Sequence, residues 1–321
     1  MTRTRANCLL LLAGALWGAG FVAQSAAMEH VGPFSFVAWR FLVASVVVAP
    51  LALAESRRAG RGPADGPADG PADGPADGAR AALGPAELAR FALVGAMLFL
   101  GMATQQVGLL TTTVTNSGFL TGLYVVFTPL FAVALFRERP HRVVWPAALV
   151  ALVGIALLSG GGAGAGAGGA GASRGDLLTV ASACFWALQV VLIARFATAA
   201  RPMALSLAQF VVTAVLTGLV AFALEPFDAD ALRRAAPAVL YAGVVASGVA
   251  FTLQVVAQRW TTAPQAAIFL SSEAPFAALF GHLALGERVA PVGLAGAALI
   301  LAAMLMVELV PSLGRRAPRP A

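Results

Sequence analysis

The chain has 321 residues, of which 59% are apolar and only 11% are charged. Soluble domains usually carry about a quarter charged residues, so this composition excludes an ordinary soluble domain and indicates a protein dissolved in lipid. The formal net charge is +6, and all 21 basic residues are arginines. They stand at the ends of apolar runs instead of forming one stripe, which excludes a nucleic-acid-binding surface.

Ten apolar runs are long enough to cross a bilayer. They lie at about 6–27, 34–54, 90–110, 113–136, 143–160, 176–196, 203–224, 236–258, 263–285 and 290–310. The first run follows Arg3 and Arg5 as in a signal peptide, but its length and the second run close behind it favour a retained helix. Four copies of Gly-Pro-Ala-Asp at 62–77 and a Gly/Ala tract at 160–172 cannot pack a core, so we interpret both as loops.

The arginines predict which side of the membrane each loop faces, since basic residues are enriched in cytoplasmic loops. If the N-terminus is cytoplasmic, sixteen arginines fall on the inner side and four on the outer side. Arg40 is then left inside a run. This bias predicts that both termini are cytoplasmic.

The second half of the chain repeats the first. An offset of 169 residues places Trp17 on Trp186, and an offset of 148 places Gln106 on Gln254. Each unit has five runs, an odd number, so the units must enter the membrane in opposite orientations. Inverted repeats are typical of secondary transporters, whose substrate site lies near the bilayer midplane between them.

We therefore expect an all-α integral membrane fold of ten transmembrane helices, arranged as two inverted five-helix repeats. The first repeat covers 1–160 and contains a disordered loop at about 55–88. A Gly-rich linker at 161–175 leads to the second repeat at 176–310, and a cytoplasmic tail follows at 311–321.

Several stretches carry a recognisable order of motifs. They are Thr111-Thr-Thr-Val-Thr-Asn-Ser-Gly-Phe-Leu-Thr-Gly-Leu-Tyr-Val-Val-Phe-Thr-Pro129, Leu253-Gln-Val-Val-Ala-Gln-Arg-Trp-Thr-Thr262, Ser271-Ser-Glu-Ala-Pro275, Leu285-Gly-Glu-Arg288, Gly175-Asp-Leu-Leu178 and Arg40-Phe41. Together they resemble the EamA-type transporters of the drug/metabolite transporter superfamily, from about residue 8 to 308. The resemblance implies a ten-helix fold of inverted repeats that moves amino acids, other metabolites or toxic compounds, often outward. It does not identify the cargo.

Glu273 lies near the middle of the ninth run, directly after Ser272. A carboxylate at the bilayer centre costs about 2.5–3.5 kcal/mol on insertion scales, so it should face a bundle interior or a wet cavity. There it either takes part in substrate binding or proton coupling, or it holds neighbouring helices together by hydrogen bonds.

Two prolines occupy matched positions in the fourth and ninth runs, Pro129 and Pro275. Proline has no backbone N–H, so each should leave the carbonyl four residues earlier free. Paired breaks of this kind point to a midplane site, although a proline kink can also serve packing alone.

Polar side chains inside the runs are further candidates. Hydroxyls on one face of the fourth run either line a substrate path or hydrogen-bond a neighbouring helix. They are Ser117, Thr121, Tyr124 and Thr128. Amides can contact a polar substrate or satisfy a neighbouring helix in the same way. They are Gln106, Asn116, Gln254 and Gln258.

Trp17 and Trp186 could form the wall of a cavity for an organic substrate, or fill space and anchor the helix at the membrane interface. Arg40 lies about six residues into its run, close enough to the outer surface to snorkel. Alternatively, it binds an anionic group or pairs with Glu273. At the offset of 169 its counterpart is Gln209.

The sequence therefore predicts a secondary transporter of small organic molecules in the cell (inner or plasma) membrane. It should export a metabolite, an amino acid or a drug-like compound by alternating access between the repeats. The alternative is a channel or a non-transporting membrane scaffold. We expect no catalytic site, because Glu273 has no acidic partner inside a run, and no metal, because no ligands cluster. No Gly-rich phosphate loop ending in Lys is present, so we expect no use of ATP and no cofactor. The expected partners are the substrate, the lipid bilayer and protons as coupling ion, but not nucleic acid. Whether two copies of the chain form a homodimer is left open.

Overall fold

The computed structural model describes residues 1–59, 83–108, 111, 120–158, 173–197, 201–286 and 290–313. The Gly-Pro-Ala-Asp repeat and the Gly/Ala tract lie outside these residues, as do two candidate site residues, Asn116 and Ser117. Across the part of the chain that the structure describes, every regular element is a helix.

The helices run in the order of the predicted apolar runs. They are α1 (Arg3–Met28), α2 (Pro33–Ala59), α3 (Pro85–Gly108), α4 (Tyr124–Phe136), α5 (Val144–Leu158), α6 (Arg174–Phe196), α7 (Pro202–Leu224), α8 (Ala229–Tyr241), a π-helical segment (Ala242–Val249), α9 (Ala250–Gln258), α10 (Ala263–Leu270), α11 (Glu273–Leu285) and α12 (Pro291–Leu313). Among the described residues, eight helices are long and apolar enough to cross a membrane, and Leu120–Phe136 and Val144–Leu158 are two shorter apolar helices. The predicted class, an all-helical membrane protein, is thereby confirmed.

The helix starts follow local sequence signals. Four helices begin at a proline, where the missing backbone N–H needs no partner. They are α2, α3, α7 and α12. At α6, Ser173 and Asp176 form a capping box: the Ser173 hydroxyl accepts from the Asp176 backbone N–H at 3.0 Å, and the Asp176 carboxylate accepts from the Ser173 backbone N–H at 2.9 Å.

The helices α4 and α11 both end at a residue with left-handed backbone. Gly286 ends α11 with a φ of 69°, and Arg137 ends α4 with a φ of 52°. Glycine adopts this conformation without a steric penalty, whereas arginine does not.

The long helices pack in pairs, with α2 against α7, α3 against α6, and α5 against α12. The helix α1 lies among the segments that follow α7: it contacts α8, the π-helical segment, α9, α10 and α11. The outer surface carries large apolar side chains such as Phe222, which is 91% exposed, and Leu283, which is 69% exposed. Exposed apolar surface of this extent fits contact with lipid.

Candidate functional site

The ninth predicted run is interrupted in its middle. The helix α10 ends at Leu270, α11 begins at Glu273, and Ser271 and Ser272 form a turn between them. The Ser271 hydroxyl donates to the Ile268 carbonyl at 2.7 Å. The interruption therefore leaves an eight-residue helix on one side and a thirteen-residue helix on the other.

The interruption lies before Pro275 and not at it. Pro275 is the third residue of α11, where its missing N–H needs no partner. The Ser271 carbonyl, which we expected Pro275 to leave free, accepts from the Ala274 backbone N–H at 3.2 Å. In the first half a turn at Leu123 likewise precedes α4, while Pro129 lies inside that helix.

Glu273 is the first residue of α11, so its carboxylate stands at the positive end of that helix dipole. Ser272 beside it is fully buried, and its hydroxyl has no hydrogen-bond partner in the described structure. The buried Tyr124 lies within electrostatic range of the Glu273 carboxylate. The candidates Ser272 and Glu273 thus lie together at the interruption, and Tyr124 lies within electrostatic range of the carboxylate.

Two glycines of α1 allow this helix to lie directly against the interruption. A Cβ atom at Gly18 would come within 2.6 Å of the Phe276 Cβ and 2.7 Å of the Ala277 backbone nitrogen. A Cβ atom at Gly14 would overlap the Ser272 hydroxyl. Neither glycine was among the predicted site residues, although their spacing of four is the small-residue pattern of close helix contacts in membranes.

The two predicted tryptophans converge on one phenylalanine, Phe251 of α9. The Trp17 ring centroid lies 4.6 Å from that of Phe251, and Trp186 stacks on it at 6.3 Å. The Trp17 indole N–H donates to the Ala246 carbonyl at 2.8 Å. The sequence analysis placed the tryptophans in matched positions but did not identify Phe251.

The Ala246 carbonyl belongs to the π-helical segment. This form of helix is rare in proteins as a whole, but where it occurs it is often part of a functional site. The segment packs closely on α2, since a Cβ atom at Gly243 would come within 2.9 Å of the Arg40 carbonyl. It therefore brings residues of the second half against the middle of α2.

Arg40 is buried against this segment and is only 6% exposed. Its Nε donates to the Ser247 hydroxyl at 2.8 Å, and its guanidinium carbon lies 5.6 Å from the Phe36 ring centroid and 5.3 Å from that of Phe41. The interpretation that Arg40 snorkels to the surface is wrong, because the side chain is enclosed by protein. It also forms no ion pair with Glu273 or with any other described carboxylate.

The predicted amides of α9 join a buried chain of glutamines between helices. Gln254 donates to Gln189 at 3.3 Å, Gln189 donates to Gln209 at 3.2 Å, and Gln258 donates to the Val190 carbonyl at 2.8 Å. The sequence analysis did not single out Gln189. At the two ends of this row of glutamines, the Gln209 Nε2 and the Gln254 Oε1 have no hydrogen-bond partner in the described part of the protein.

The remaining candidates lie where α3 faces the fourth run. Thr121 accepts from the Gln105 side chain at 2.9 Å, while the Thr128 hydroxyl donates to the Tyr124 carbonyl within its own helix at 2.7 Å. Gln106 is buried, at 4% exposure. Its neighbour Gln105, which we did not predict, makes the contact between the two helices.

The comparisons with known proteins agree on the kind of protein. The EamA-like transporter family matches residues 4–160 and 173–309. An uncharacterized transporter of Archaeoglobus fulgidus is 28% identical over 308 residues, which cover 96% of this chain and 87% of that protein. A solved crystal structure has the same fold, with a TM-score of 0.76 and 21% identity over 98% of this chain and 100% of the other. The chain is a multi-pass membrane transporter that belongs to the EamA-like transporter family.

Proposed function

We propose that this protein is a secondary transporter that exports small organic molecules across the cell (inner or plasma) membrane. It works by alternating access between two inverted repeats of five spans each. The observation that carries the proposal is the helix interrupted at Ser271–Ser272, with the Glu273 carboxylate at the start of its second part. Secondary transporters bind substrate and coupling ion at such discontinuous helices.

The contacts between α2 and α7 support the inverted arrangement. The Glu225 carboxylate, just after α7, accepts from the backbone N–H groups of Phe34 and Ser35 at 2.8 Å each, at the start of α2. These two helices therefore run in opposite directions, because the end of α7 lies at the start of α2.

The same contact occurs at the other end of the pair. The Glu55 carboxylate of α2 accepts from the backbone N–H groups of Met203 and Ala204 at 3.3 and 3.0 Å, at the start of α7. Met203-Ala204 is the counterpart of Phe34-Ser35 at the offset of 169. The carboxylates Glu55 and Glu225 lie within one residue of the same offset. Reciprocal caps of this kind are what a twofold axis in the membrane plane would produce.

In this arrangement Leu120–Phe136 and Val144–Leu158 complete the ten spans as the fourth and fifth. The matched left-handed ends of α4 and α11 fit this assignment. Both termini face the cytoplasm, as the arginine bias predicts. A transporter of this family has no need of catalytic groups, and we assign none.

Within the site, Glu273 is the proton-coupling group and Ser272 is its neighbour on the transport path. Among the described residues Glu273 forms no ion pair, and an unpaired carboxylate inside a membrane bundle can change its protonation state as the site opens to one side and then the other. Trp17 and Trp186, which meet at Phe251, form an apolar wall of the transport path.

The test is flux into proteoliposomes from a mixed pool of amino acids, aromatic acids and cationic dyes, with and without an imposed pH gradient. We expect saturable, gradient-dependent flux in the parent and in Glu29→Gln, a control at an exposed carboxylate. Glu273→Gln should lose the gradient response at an unchanged protein level. Inside-out membrane vesicles should accumulate the compound if the protein exports it.

An unchanged gradient response in Glu273→Gln would show that this carboxylate is structural. A parent protein that moves no compound above protein-free liposomes would contradict the transport proposal itself. Flux that rises linearly without saturation would favour the channel alternative.

A further inference from the structure

The positive charge of Arg40 is compensated only in part by its surroundings. A guanidinium at 6% exposure has lost nearly all of its contact with solvent, and buried charges are normally paired with an opposite charge. The Ser247 hydroxyl accepts a hydrogen bond from Nε only, and the rings of Phe36 and Phe41 contribute only cation–π attraction. No described carboxylate lies within 4.0 Å of Arg40.

The fold does not require a cation at this place. The matched position in α7 holds Gln209, a neutral side chain that is completely buried. The following residues, Phe41 and Phe210, are also matched, and their ring centroids lie 5.7 Å apart. Two equivalent positions therefore differ in charge while their aromatic neighbours are the same.

Two hydrogen-bond donors without acceptors belong to this aromatic cluster or to the residue directly before one of its members. The ring centroid of Phe251 lies 5.8 Å from that of Phe41 and 6.2 Å from that of Phe210. The indole N–H of Trp186, which stacks on Phe251, is buried without a partner, and so is the Gln209 Nε2 amide, within the described residues. The Trp186 indole and the Gln209 amide nitrogen each lack a hydrogen-bond acceptor in the described structure, and the Arg40 guanidinium has one for Nε only.

We infer that Arg40 binds the anionic group of the transported molecule, and that the substrate is an organic acid with an apolar or aromatic body. A carboxylate supplies acceptors in the planar, bidentate geometry that a guanidinium fits. The rings of Trp17, Trp186 and Phe251 supply the apolar surface for the body. This assignment of a substrate class rests on the proposed transport function.

Binding can be measured without transport, by isothermal titration calorimetry of the protein in nanodiscs of neutral phosphatidylcholine. The probes are matched pairs, indole-3-acetate with indole-3-acetamide and phenylacetate with phenylacetamide, together with tryptamine as a cation. We expect the acids to bind saturably, and the amides and tryptamine to bind at least tenfold more weakly.

Arg40→Gln introduces the residue that the matched position of α7 already carries, so the fold should accept it. We expect this variant to bind the acids at least tenfold more weakly, and Arg40→Lys, which keeps the charge, to bind them with intermediate affinity. Arg90→Gln is the control, because Arg90 is exposed at the start of α3 and also contacts an aromatic ring, that of Phe196 at 6.0 Å. Melting curves without ligand show whether each variant is folded.

Acid binding that is equal in the parent and Arg40→Gln would overturn the inference, as would amides or tryptamine binding better than the acids. Absence of acid binding to the folded parent would also overturn it. Nanodiscs containing phosphatidylglycerol test the other source of an anion: if this lipid abolishes acid binding through Arg40, the site holds a lipid headgroup and not a substrate.

Counterflow with the same probes separates this inference from the proposed function. If tryptamine or an amide is transported and no acid is, the protein is a transporter but Arg40 does not select anions. If the acids bind through Arg40 and none of the probes is transported, the anion site stands and the transport proposal fails for this substrate class.

Discussion

Two close helix contacts in this protein differ in the continuity of their helices and in the way their helix starts are capped. The pair α2–α7 consists of continuous helices of 27 and 23 residues, and a carboxylate caps the start of each helix. The contact of α1 with α10 and α11 involves an interrupted helix, a buried hydroxyl without a partner at Ser272, and two glycines that leave no room for a side chain.

This difference indicates where the protein can change shape. Regions open at low free energy when their helices are short and their polar groups are incompletely bonded. The helices of the α2–α7 pair are long, and a carboxylate of the partner helix caps the start of each, so we expect this pair to act as a fixed axis. The α1 contact with α10 and α11 meets both, and it holds Glu273. Four predictions test this division, from the largest expected effect on stability to the smallest.

Gly18→Ala should destabilise the folded protein by about 1–3 kcal/mol, because the added methyl overpacks against the backbone of α11. It should also reduce transport. Gly218→Ala in α7 is the matched control: its Cβ atom would lie 3.9 Å from the Ala38 Cβ, an ordinary contact. Melting temperatures in detergent and flux in liposomes measure both effects, and equal behaviour of the two variants would remove the distinction between the contacts.

Glu225→Ala and Glu55→Ala should each destabilise the protein by about 1 kcal/mol, the usual loss for a helix N-cap. The two carboxylates lie at opposite ends of the pair, so the double variant should show the sum of the two effects. Glu29→Ala, at an exposed position, should change the melting temperature little. A strongly non-additive double variant would argue against a rigid pair with independent ends.

Ser272→Ala should leave stability unchanged or raise it slightly, since the hydroxyl that it removes has no partner in the described structure. Ser271→Ala removes the bond to the Ile268 carbonyl and should cost about 0.5–1.5 kcal/mol. If Ser272 serves transport, its variant should lose gradient-driven flux at full stability. Normal flux in Ser272→Ala would exclude this hydroxyl from the transport path.

Asp228 provides a pH test at the start of α8, which contacts both α1 and α2. The backbone N–H groups of Ala231 and Asp230 donate to its carboxylate and lower its pKa. Its stabilising contribution is therefore complete above the unfolded pKa of about 3.9 and is lost as the pH falls through the lower folded pKa. The difference in melting temperature between the parent and Asp228→Ala should be largest near neutral pH. A difference that grows in acid would contradict this cause.

The sequence predicted the long helices well because lipid allows a spanning segment few alternatives. A run of about twenty apolar residues must satisfy its backbone hydrogen bonds internally, and helix formation achieves this. The run predicted at 203–224 appears as α7 (Pro202–Leu224), and the run at 176–196 as α6 (Arg174–Phe196). Single-residue signals were less complete: we expected Pro275 to leave the Ser271 carbonyl free, but that carbonyl accepts from the Ala274 backbone N–H, and the run is interrupted at Ser271–Ser272, three to four residues before the proline.

The candidate site was predicted in part. Matched positions identified Trp17 and Trp186, and charge inside an apolar run identified Glu273 and Arg40. The sequence analysis missed Phe251, Gln189 and Gln105, whose roles depend on partners in other helices. Gly14 and Gly18 carried a readable signal in their spacing, but only the packing of α1 on α11 shows which helix they face.

By itself the sequence determined the membrane class and the helical runs, because hydropathy and periodicity act locally along the chain. The tertiary structure decided which polar groups are satisfied. Whether Arg40 reaches the surface, and whether Ser272 finds an acceptor, depends on the residues that other helices place beside them. Residues 207 positions apart, Arg40 and Ser247, share a hydrogen bond that no local pattern specifies, since only the packing of α2 on the π-helical segment brings them together.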